Sequence, residues 1–169
     1  AFIQIGQALG GTSFYEYFHN FGLAEATGID LPGEEVGISH TLSELQGQTG
    51  GGTYLASSSF GQTFQVSPLQ MAMAVCAAVN GGTLYQPYVV KQVLDSDGNV
   101  VSTTQPQAKR QVISEETSAK IRDLVEAVVA DGSGRNAQVP GYRIGGKTGT
   151  AEKLTKEKNI ITGEYEQIL

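Results

Sequence analysis

The sequence has few residues that bind metals or form disulfides. Its single cysteine, Cys76, excludes a disulfide within the chain. The two histidines, His19 and His40, lie far from each other in the sequence, so we expect neither a metal site nor a bound cofactor. His19 falls in a predicted helix with no nucleophile beside it, and we interpret it as a helix residue and not as a general base.

Positive charge is also scarce. Eleven Lys and Arg residues face 17 Asp and Glu residues, which gives a net charge of -6. This balance argues against nucleic acid and anionic membrane surfaces as main partners. The sequence shows neither a signal peptide nor a run that could span a bilayer. Because the sequence opens at Ala1 inside an apolar run and stops at Leu169 without a terminus-like tail, we expect it to be cut from a longer protein, so the absence of targeting signals says little about location.

The composition is that of one globular domain. The chain has 169 residues, of which 40% are hydrophobic and 17% charged, and its 22 glycines indicate many loops. Residues 24–52 lack any periodicity, and no repeat or coiled coil is present. Helical patterns and strand patterns are both found along the chain. We therefore expect an α/β or α+β domain in which helices pack on an antiparallel sheet.

The clearest helix signal starts at Ser67. Ser67 is the predicted N-cap, Pro68 occupies the first helical position, and Gln70 completes a capping box. The helix is then apolar on every side up to Asn80, so we expect it to be buried between two layers, with Cys76 as a core residue.

Other helices are predicted with weaker signals. One covers residues 1–9. A second begins with a capping box formed by Ser13 and Glu16 and ends at Gly22. A third makes one or two turns over residues 53–60, and a fourth is capped by Ser114. The last one presents an apolar face made of Ile121, Leu124, Val125, Val128 and Val129.

Two strands are predicted around a turn at Asp97 and Gly98, over residues 88–94 and 99–103. The turn faintly resembles a calcium loop. It has Val100 at the sixth position, where that loop requires glycine, and it lacks the later glutamate, so we reject calcium.

The most informative stretch covers residues 142–153. Tyr142, Ile144 and Gly146 alternate with other residues at the period of a strand. Lys147 supplies a charge, Thr148 a hydroxyl, and Gly149 a backbone that a ligand can approach closely, a combination that can hold a carboxylate. The same residues are equally compatible with an edge strand that carries a solvated lysine.

Residues 141–148 also match the spelling of a phosphate-binding loop, G-x-x-x-x-G-K-T. That motif needs a buried strand before the first glycine and a helix that starts at the lysine. Pro140 is a poor end for a buried strand, and Gly149 would weaken the first helical turn. We therefore reject a nucleotide site.

Lys147, Thr148, Gly149 and Thr150, after a short alternating strand, resemble the third signature of penicillin-binding proteins and serine β-lactamases. Further stretches resemble class B penicillin-binding transpeptidases of the division and sporulation type, and they follow the order of that family. These stretches are residues 27–34, 60–62, 66–72, 80–82 and 139–142. A K-T-G match alone is common, whereas the ordered set is specific.

The resemblance also shows what is absent from the sequence. The family's nucleophile is the serine of S-x-x-K, and a second serine lies in S-x-N. No serine here has lysine three residues later or asparagine two residues later. The resemblance thus implies that residues 1–169 are the C-terminal portion of one incomplete transpeptidase domain, without those two motifs and the final strands, and that this piece alone is inactive.

By resemblance, the parent protein cross-links peptidoglycan stem peptides through a serine acyl-enzyme and is a target of β-lactams. Lys147, Thr148 and Gly149 would bind the substrate, and the backbone N–H of Thr150 would contribute to the oxyanion hole. The resemblance also implies a membrane anchor, an extracytoplasmic catalytic domain, and the division, sporulation or other cell-wall synthesis machinery as partners. Alternatives are a penicillin-sensing receptor, a β-lactamase-like domain or a non-catalytic module of the same fold.

Overall fold

A computed structural model describes residues 1–48, 50 and 52–149, together with the backbone of two later strands. The helices are α1 (Phe2–Leu9), α2 (Gly11–Asn20), α3 (Leu42–Leu45), α4 (Thr53–Ser58), α5 (Pro68–Val79) and α6 (Glu115–Ala130), with a short 3-10 turn at Arg135–Ala137. The strands are β1 (Thr83–Gln86), β2 (Gln92–Leu94), β3 (Val100–Thr103), β4 (Gln107–Gln111), β5 (Lys153–Lys158) and β6 (Tyr165–Ile168).

The strands that the structure describes form three antiparallel pairs, β1 with β4, β2 with β3 and β5 with β6. Helix α5 packs against β1 and α6, and α1 to α4 pack against one another. The α+β class predicted from the sequence is therefore confirmed. None of the helices in the described residues is long and apolar enough to cross a membrane.

Helix α2 begins earlier than the sequence predicts. Gly10 has a φ of 82°, which lets the chain turn directly from α1 into a helix that starts at Gly11. Ser13 consequently lies inside the first turn and caps nothing, so the predicted capping box at Ser13 and Glu16 is wrong. The predicted end is right, because Gly22 adopts a φ of 76° just after the helix.

Helix α5 begins as predicted, and its cap also joins it to a distant loop. The Ser67 hydroxyl accepts from the Gln70 N–H at 3.1 Å, and the Gln70 side chain accepts from the Ser67 N–H at 2.7 Å. The same Gln70 side chain donates to the carbonyl of Glu25 at 2.8 Å and is only 1% exposed. One buried amide therefore serves both the helix start and the loop after α2.

The burial expected for α5 is found on one side only. Met73 and Ala77 pack with Leu84 of β1 in the core, with Phe21, Leu69 and Val112 against them. On the opposite side, Cys76 is exposed, so its predicted core position is wrong. Within the described residues, β1 and α6 cover a single face of this helix, which leaves its other apolar face in contact with water.

Ser114 caps helix α6, as predicted. The Ser114 hydroxyl accepts a hydrogen bond from the Thr117 N–H at 3.1 Å. The buried Ser118 of α6 donates to the carbonyl of Ala78 at 2.8 Å and accepts from the Gly81 N–H at 3.0 Å, which fixes α6 against the end of α5. Val129 is buried as predicted, but Leu124 is 67% exposed, so its inclusion in the predicted apolar face is wrong.

The hairpin around Gly98 is confirmed, with strands shorter than predicted. The longer-range pair β1 and β4 was not predicted, because β4 contains Gln107, Lys109 and Arg110 and shows no apolar alternation. Strand β1 of this pair packs against α5. The pair β1 and β4 therefore contributes more to the packing of the domain than the hairpin of β2 and β3, which the sequence predicts more clearly.

Two carboxylates fix the irregular segment 24–40, one through bonds within the segment and the other through bonds to the residues between β1 and β2. Glu34 accepts from the N–H groups of Thr27 and Gly28 at 2.6 and 3.0 Å. Asp30 accepts from the N–H groups of Val90 and Val89 at 2.9 and 2.8 Å, and these bonds hold the pKa of Asp30 below its usual value. Residues 27–34 therefore act locally as a structural brace.

Arg110 joins β4 to the end of α2. Its guanidinium donates to the carbonyls of Asn20 and His19, both at 2.8 Å, and to the Glu25 carboxylate at 2.6 Å. Lys109 lies 3.0 Å from the same carboxylate. Partial burial raises the pKa of Glu25, but the hydrogen bonds and charges of Arg110 and Lys109 outweigh it, so the pKa lies below its ordinary value.

This cluster predicts a pH-dependent contribution to stability. Because the pKa of Glu25 is lowered in the folded state, its contribution is complete above the unfolded value of about 4.3 and is lost as the pH falls through the folded value. The free energy of unfolding should therefore fall less steeply with decreasing pH in Glu25→Gln than in the wild type. Urea midpoints measured at several pH values below about 5 test this, with Glu116→Gln as control since that carboxylate is 79% exposed.

Candidate substrate-binding site

The predicted strand before Lys147 is not formed in the structure. Residues 143–149 lie outside any helix or strand, and no described strand runs beside them. A strand requires a hydrogen-bonded neighbour, whereas here the Gly146 N–H donates to the carbonyl of Val125 in α6 at 3.0 Å. Exposure still alternates along the segment, since Ile144 and Gly146 are half-buried between exposed residues. The prediction of a paired strand is therefore wrong for the described residues.

Helix α6 positions this segment. Arg143 donates to both oxygens of Glu126 in a bidentate ion pair, whose hydrogen bonds lower the pKa of Glu126. A Cβ at position 145 would lie 2.6 Å from the Val125 side chain, so glycine lets the backbone approach the helix closely. Neither the ion pair of Arg143 with Glu126 nor the close approach of Gly145 to Val125 was predicted, because both join residues that are distant in the sequence and that only the fold brings together.

The side chains that follow are accessible. Lys147, Thr148 and Gly149 are all exposed. The Lys147 ammonium donates to the Thr148 carbonyl at 2.9 Å and to its hydroxyl at 3.1 Å, so charge and hydroxyl lie together. Apart from Gly149 itself and its chain neighbours, no atom of the described residues lies within 4 Å of a Cβ built at Gly149. Chemically, this arrangement offers one cation, one hydroxyl and open backbone to an anionic ligand.

Thr150, the predicted oxyanion-hole donor, lies outside the described residues. The phosphate-loop interpretation rejected from the sequence also finds no support, because no helix starts at Lys147 and Thr148 within residues 143–149. In the described residues no group of three or more His, Cys, Asp or Glu side chains is placed to hold a metal ion.

A hydroxyl cluster elsewhere in the chain differs from a catalytic arrangement. Thr63 lies 2.7 Å from the Ser57 hydroxyl and 3.1 Å from Nε2 of His40. Ser57 is also within 3.0 Å of the carbonyl of Thr53, one helical turn earlier, which is a common local bond in helices. Nδ1 of His40 lies 3.9 Å from Glu44, too far for a hydrogen bond. These contacts therefore do not form the hydrogen-bonded nucleophile, base and orienting carboxylate of a catalytic triad.

The model of the penicillin binding protein transpeptidase domain matches residues 1–166. The chain belongs to this transpeptidase family. Among its relatives, the stage V sporulation protein D of Bacillus subtilis is 48% identical over 160 residues, which are 94% of this chain and 24% of that protein. A probable peptidoglycan D,D-transpeptidase FtsI of Caulobacter vibrioides is 33% identical over 153 residues, or 89% of this chain and 23% of that protein.

Solved transpeptidases share the fold. Penicillin-binding protein 3 of Mycobacterium tuberculosis in complex with aztreonam has a TM-score of 0.80 and 30% identity, and the match covers 98% of this chain and 36% of that one. The chain thus spans about a quarter of the curated relatives named here and about a third of this solved structure. The class of protein expected from the ordered sequence stretches, including the division and sporulation type, is confirmed.

Proposed function

We propose that this chain is the C-terminal part of the transpeptidase domain of a membrane-anchored peptidoglycan D,D-transpeptidase, and that it supplies the substrate-binding wall of the active site. The observation that carries the proposal is the exposed group of Lys147, Thr148 and Gly149 beside α6. Its cation and hydroxyl suit the terminal carboxylate of a stem peptide or of a β-lactam. Gly149 leaves room for the peptide backbone to lie alongside.

The reaction proposed for the complete domain needs a serine outside residues 1–169. That serine oxygen attacks the penultimate D-Ala carbonyl carbon, the bond to the terminal D-Ala breaks, and the leaving amine takes up a proton. The amine of a second stem then attacks the ester carbonyl carbon, the new amide bond replaces the bond to the serine oxygen, and the serine oxygen regains the proton that the amine loses. During both steps the backbone N–H of Thr150 is proposed to stabilise the oxyanion.

The names of the relatives support this reaction class, and an extracytoplasmic catalytic domain is proposed because peptidoglycan is the proposed substrate. They include a peptidoglycan D,D-transpeptidase and a sporulation protein, and a solved neighbour was crystallised with aztreonam. Stem peptides and β-lactams are accordingly the proposed ligands, and the cell-wall machinery of division or sporulation is the proposed partner. Neither the receptor nor the β-lactamase alternative is favoured by these names.

Labelling with a fluorescent penicillin tests the proposal. The complete protein should retain the label after denaturation, because the acyl-enzyme is covalent, whereas residues 1–169 alone should retain none. The measurement is fluorescence in a denaturing gel, with penicillin-blocked complete protein as control. A complete protein that takes no label would contradict the enzymatic proposal, and stable labelling of residues 1–169 would contradict the placement of the nucleophile.

A further inference from the structure

The segment that leads into the candidate site is fixed to α6 at three points. The Nε–H of Arg143 donates to the two oxygens of Glu126 at 2.8 and 3.0 Å, and Nη2 donates to the same carboxylate. The Gly146 N–H donates to the carbonyl of Val125 at 3.0 Å. Between these bonds, a Cβ at Gly145 would lie only 3.2 Å from the backbone nitrogen of Glu126, so the chain lies directly on the helix. Two consecutive residues of α6 therefore hold residues 143–146.

Helix α6 is in turn joined to the end of α5. Besides the bonds of Ser118 described above, the guanidinium of Arg122 donates to the carbonyl of Val79 at 2.9 Å and to the Ser118 hydroxyl at 3.2 Å. A helix of 16 residues with these anchors is a rigid support. Because residues 143–149 belong to no described strand, they take their position from this helix.

The ion pair of Arg143 with Glu126 is better suited to positioning than to stabilising the whole domain. The Arg143 side chain is 80% exposed and the Glu126 side chain is 32% exposed. Exposed ion pairs contribute little to the free energy of unfolding, because water screens their charges. A bidentate pair nevertheless fixes the direction of the guanidinium as well as its distance, which a single contact does not. We therefore expect a small effect on global stability and a larger effect on the adjoining chain.

The cation of the candidate site lies one residue beyond the last of these contacts. Lys147 follows Gly146 directly, and Thr148 follows Lys147. Each residue of extended chain spans about 3.3–3.6 Å, so a displacement of residues 143–146 is passed on to Lys147. A misplacement of about 1 Å can slow a reaction by about 100-fold. The contacts with α6 are therefore close enough to Lys147 to affect a reaction that depends on its position.

We infer that Arg143 and Glu126 are a positioning pair for the ligand carboxylate, which they serve by placing Lys147 and Thr148 without touching the ligand themselves. This inference rests on the proposed function of Lys147 and Thr148. It assigns a part in the reaction to Glu126, a residue of α6 that no sequence motif marks. Two other roles give different results in the test below, namely a general effect of charge near an anionic ligand and a purely structural tie.

Glu126→Gln and Arg143→Gln in the complete protein test the inference, because each removes the ion pair. Both variants should lower the second-order rate constant of acylation by penicillin about five-fold or more, with the Tm within about 2 °C of the wild type. The double variant should be no slower than the slower single variant, since the two residues act as one unit. A general effect of charge predicts opposite signs, because Glu126→Gln removes a negative charge near an anionic ligand and should then speed acylation.

Asp123→Asn is the matched control for Glu126→Gln. The Asp123 carboxylate lies 4.0 Å from the Arg143 guanidinium, beyond hydrogen-bonding distance, and its side chain is 78% exposed. The substitution removes the same charge beside the same guanidinium and leaves the bidentate pair in place. Acylation should therefore stay within about two-fold of the wild type.

Arg143→Lys tests the geometry of the pair. Lysine keeps the positive charge and lacks the planar fork that binds both carboxylate oxygens, so this variant should remain slow. A wild-type rate in Arg143→Lys would show that a point charge is sufficient and would reject positioning by the bidentate pair.

The remaining outcomes are also decisive. Wild-type acylation in both glutamine variants, or opposite effects of the two, would overturn the inference. A Tm lowered by more than about 5 °C together with slower acylation would assign the pair to folding and would reject it as well. Penicillin labelling of the wild type separates the inference from the proposed function. Absent labelling rejects the proposed function and this inference with it, whereas a labelled wild type with unchanged variants rejects the positioning pair alone.

Discussion

Replacing Lys147 by alanine in the complete protein is expected to slow acylation by penicillins at least about ten-fold. The variant removes a charge-assisted hydrogen bond to the ligand carboxylate, and such bonds contribute about 1.5–3 kcal/mol. Lys147 is exposed and contacts only its neighbour Thr148 in the described residues, so its removal should leave folding intact. The second-order rate constant of acylation is the measurement.

Two controls isolate the carboxylate contact. Lys120→Ala removes another exposed lysine, 70% exposed and paired with Glu116, and should leave acylation unchanged. A penicillin methyl ester should acylate the wild type slowly, and Lys147→Ala should slow it no further, because the interaction is already lost. An unchanged rate with the free acid would contradict the role proposed for Lys147.

Gln70→Leu is expected to lower the free energy of unfolding by about 2–4 kcal/mol. Leucine has a similar size, but it leaves the Ser67 N–H and the Glu25 carbonyl without their partner in a site that is 1% exposed. Each buried polar group left without a partner costs about 1–3 kcal/mol. Urea unfolding of the complete protein measures the effect.

A second variant at the same position separates the two functions of the amide. Gln70→Glu keeps an acceptor for the Ser67 N–H and removes the donor to Glu25, so it should retain the helix cap and lose the link to the loop. Gln105→Leu, in an exposed loop, is the matched control and should change stability by less than about 0.5 kcal/mol. If Gln70→Leu lowers stability no more than Gln105→Leu does, the hydrogen bonds of Gln70 to Ser67 and Glu25 do not contribute measurably to stability.

Features encoded by neighbouring residues could be predicted from the sequence. The start of α5 is an example, because Ser67, Pro68 and Gln70 act within one helical turn. The hairpin at Gly98 and the cap at Ser114 are others. In each case the hydrogen bonds join residues a few positions apart, so their spacing along the chain is sufficient to identify them.

Features that depend on distant residues could not be predicted. Arg110 reaches carbonyls at the end of α2, about ninety residues earlier, and nothing in its own neighbourhood signals this contact. The exposed side of α5 also differs from expectation, because composition predicts a buried helix without showing which layer covers it. The candidate site shows both cases, because Lys147 is proposed from its motif, whereas the pair of Arg143 with Glu126, which ties the preceding residues to α6, was not predicted.

The brace formed by Asp30 has a consequence for self-association. The segment that leads into β2 contains Tyr88, Val89 and Val90, which are 39–60% exposed, and such apolar segments readily recruit a strand from another molecule. The Asp30 carboxylate already binds the N–H groups of Val89 and Val90. These two N–H groups are therefore not available to a strand from another molecule, so we expect the Asp30 carboxylate to disfavour intermolecular sheet formation at this apolar segment.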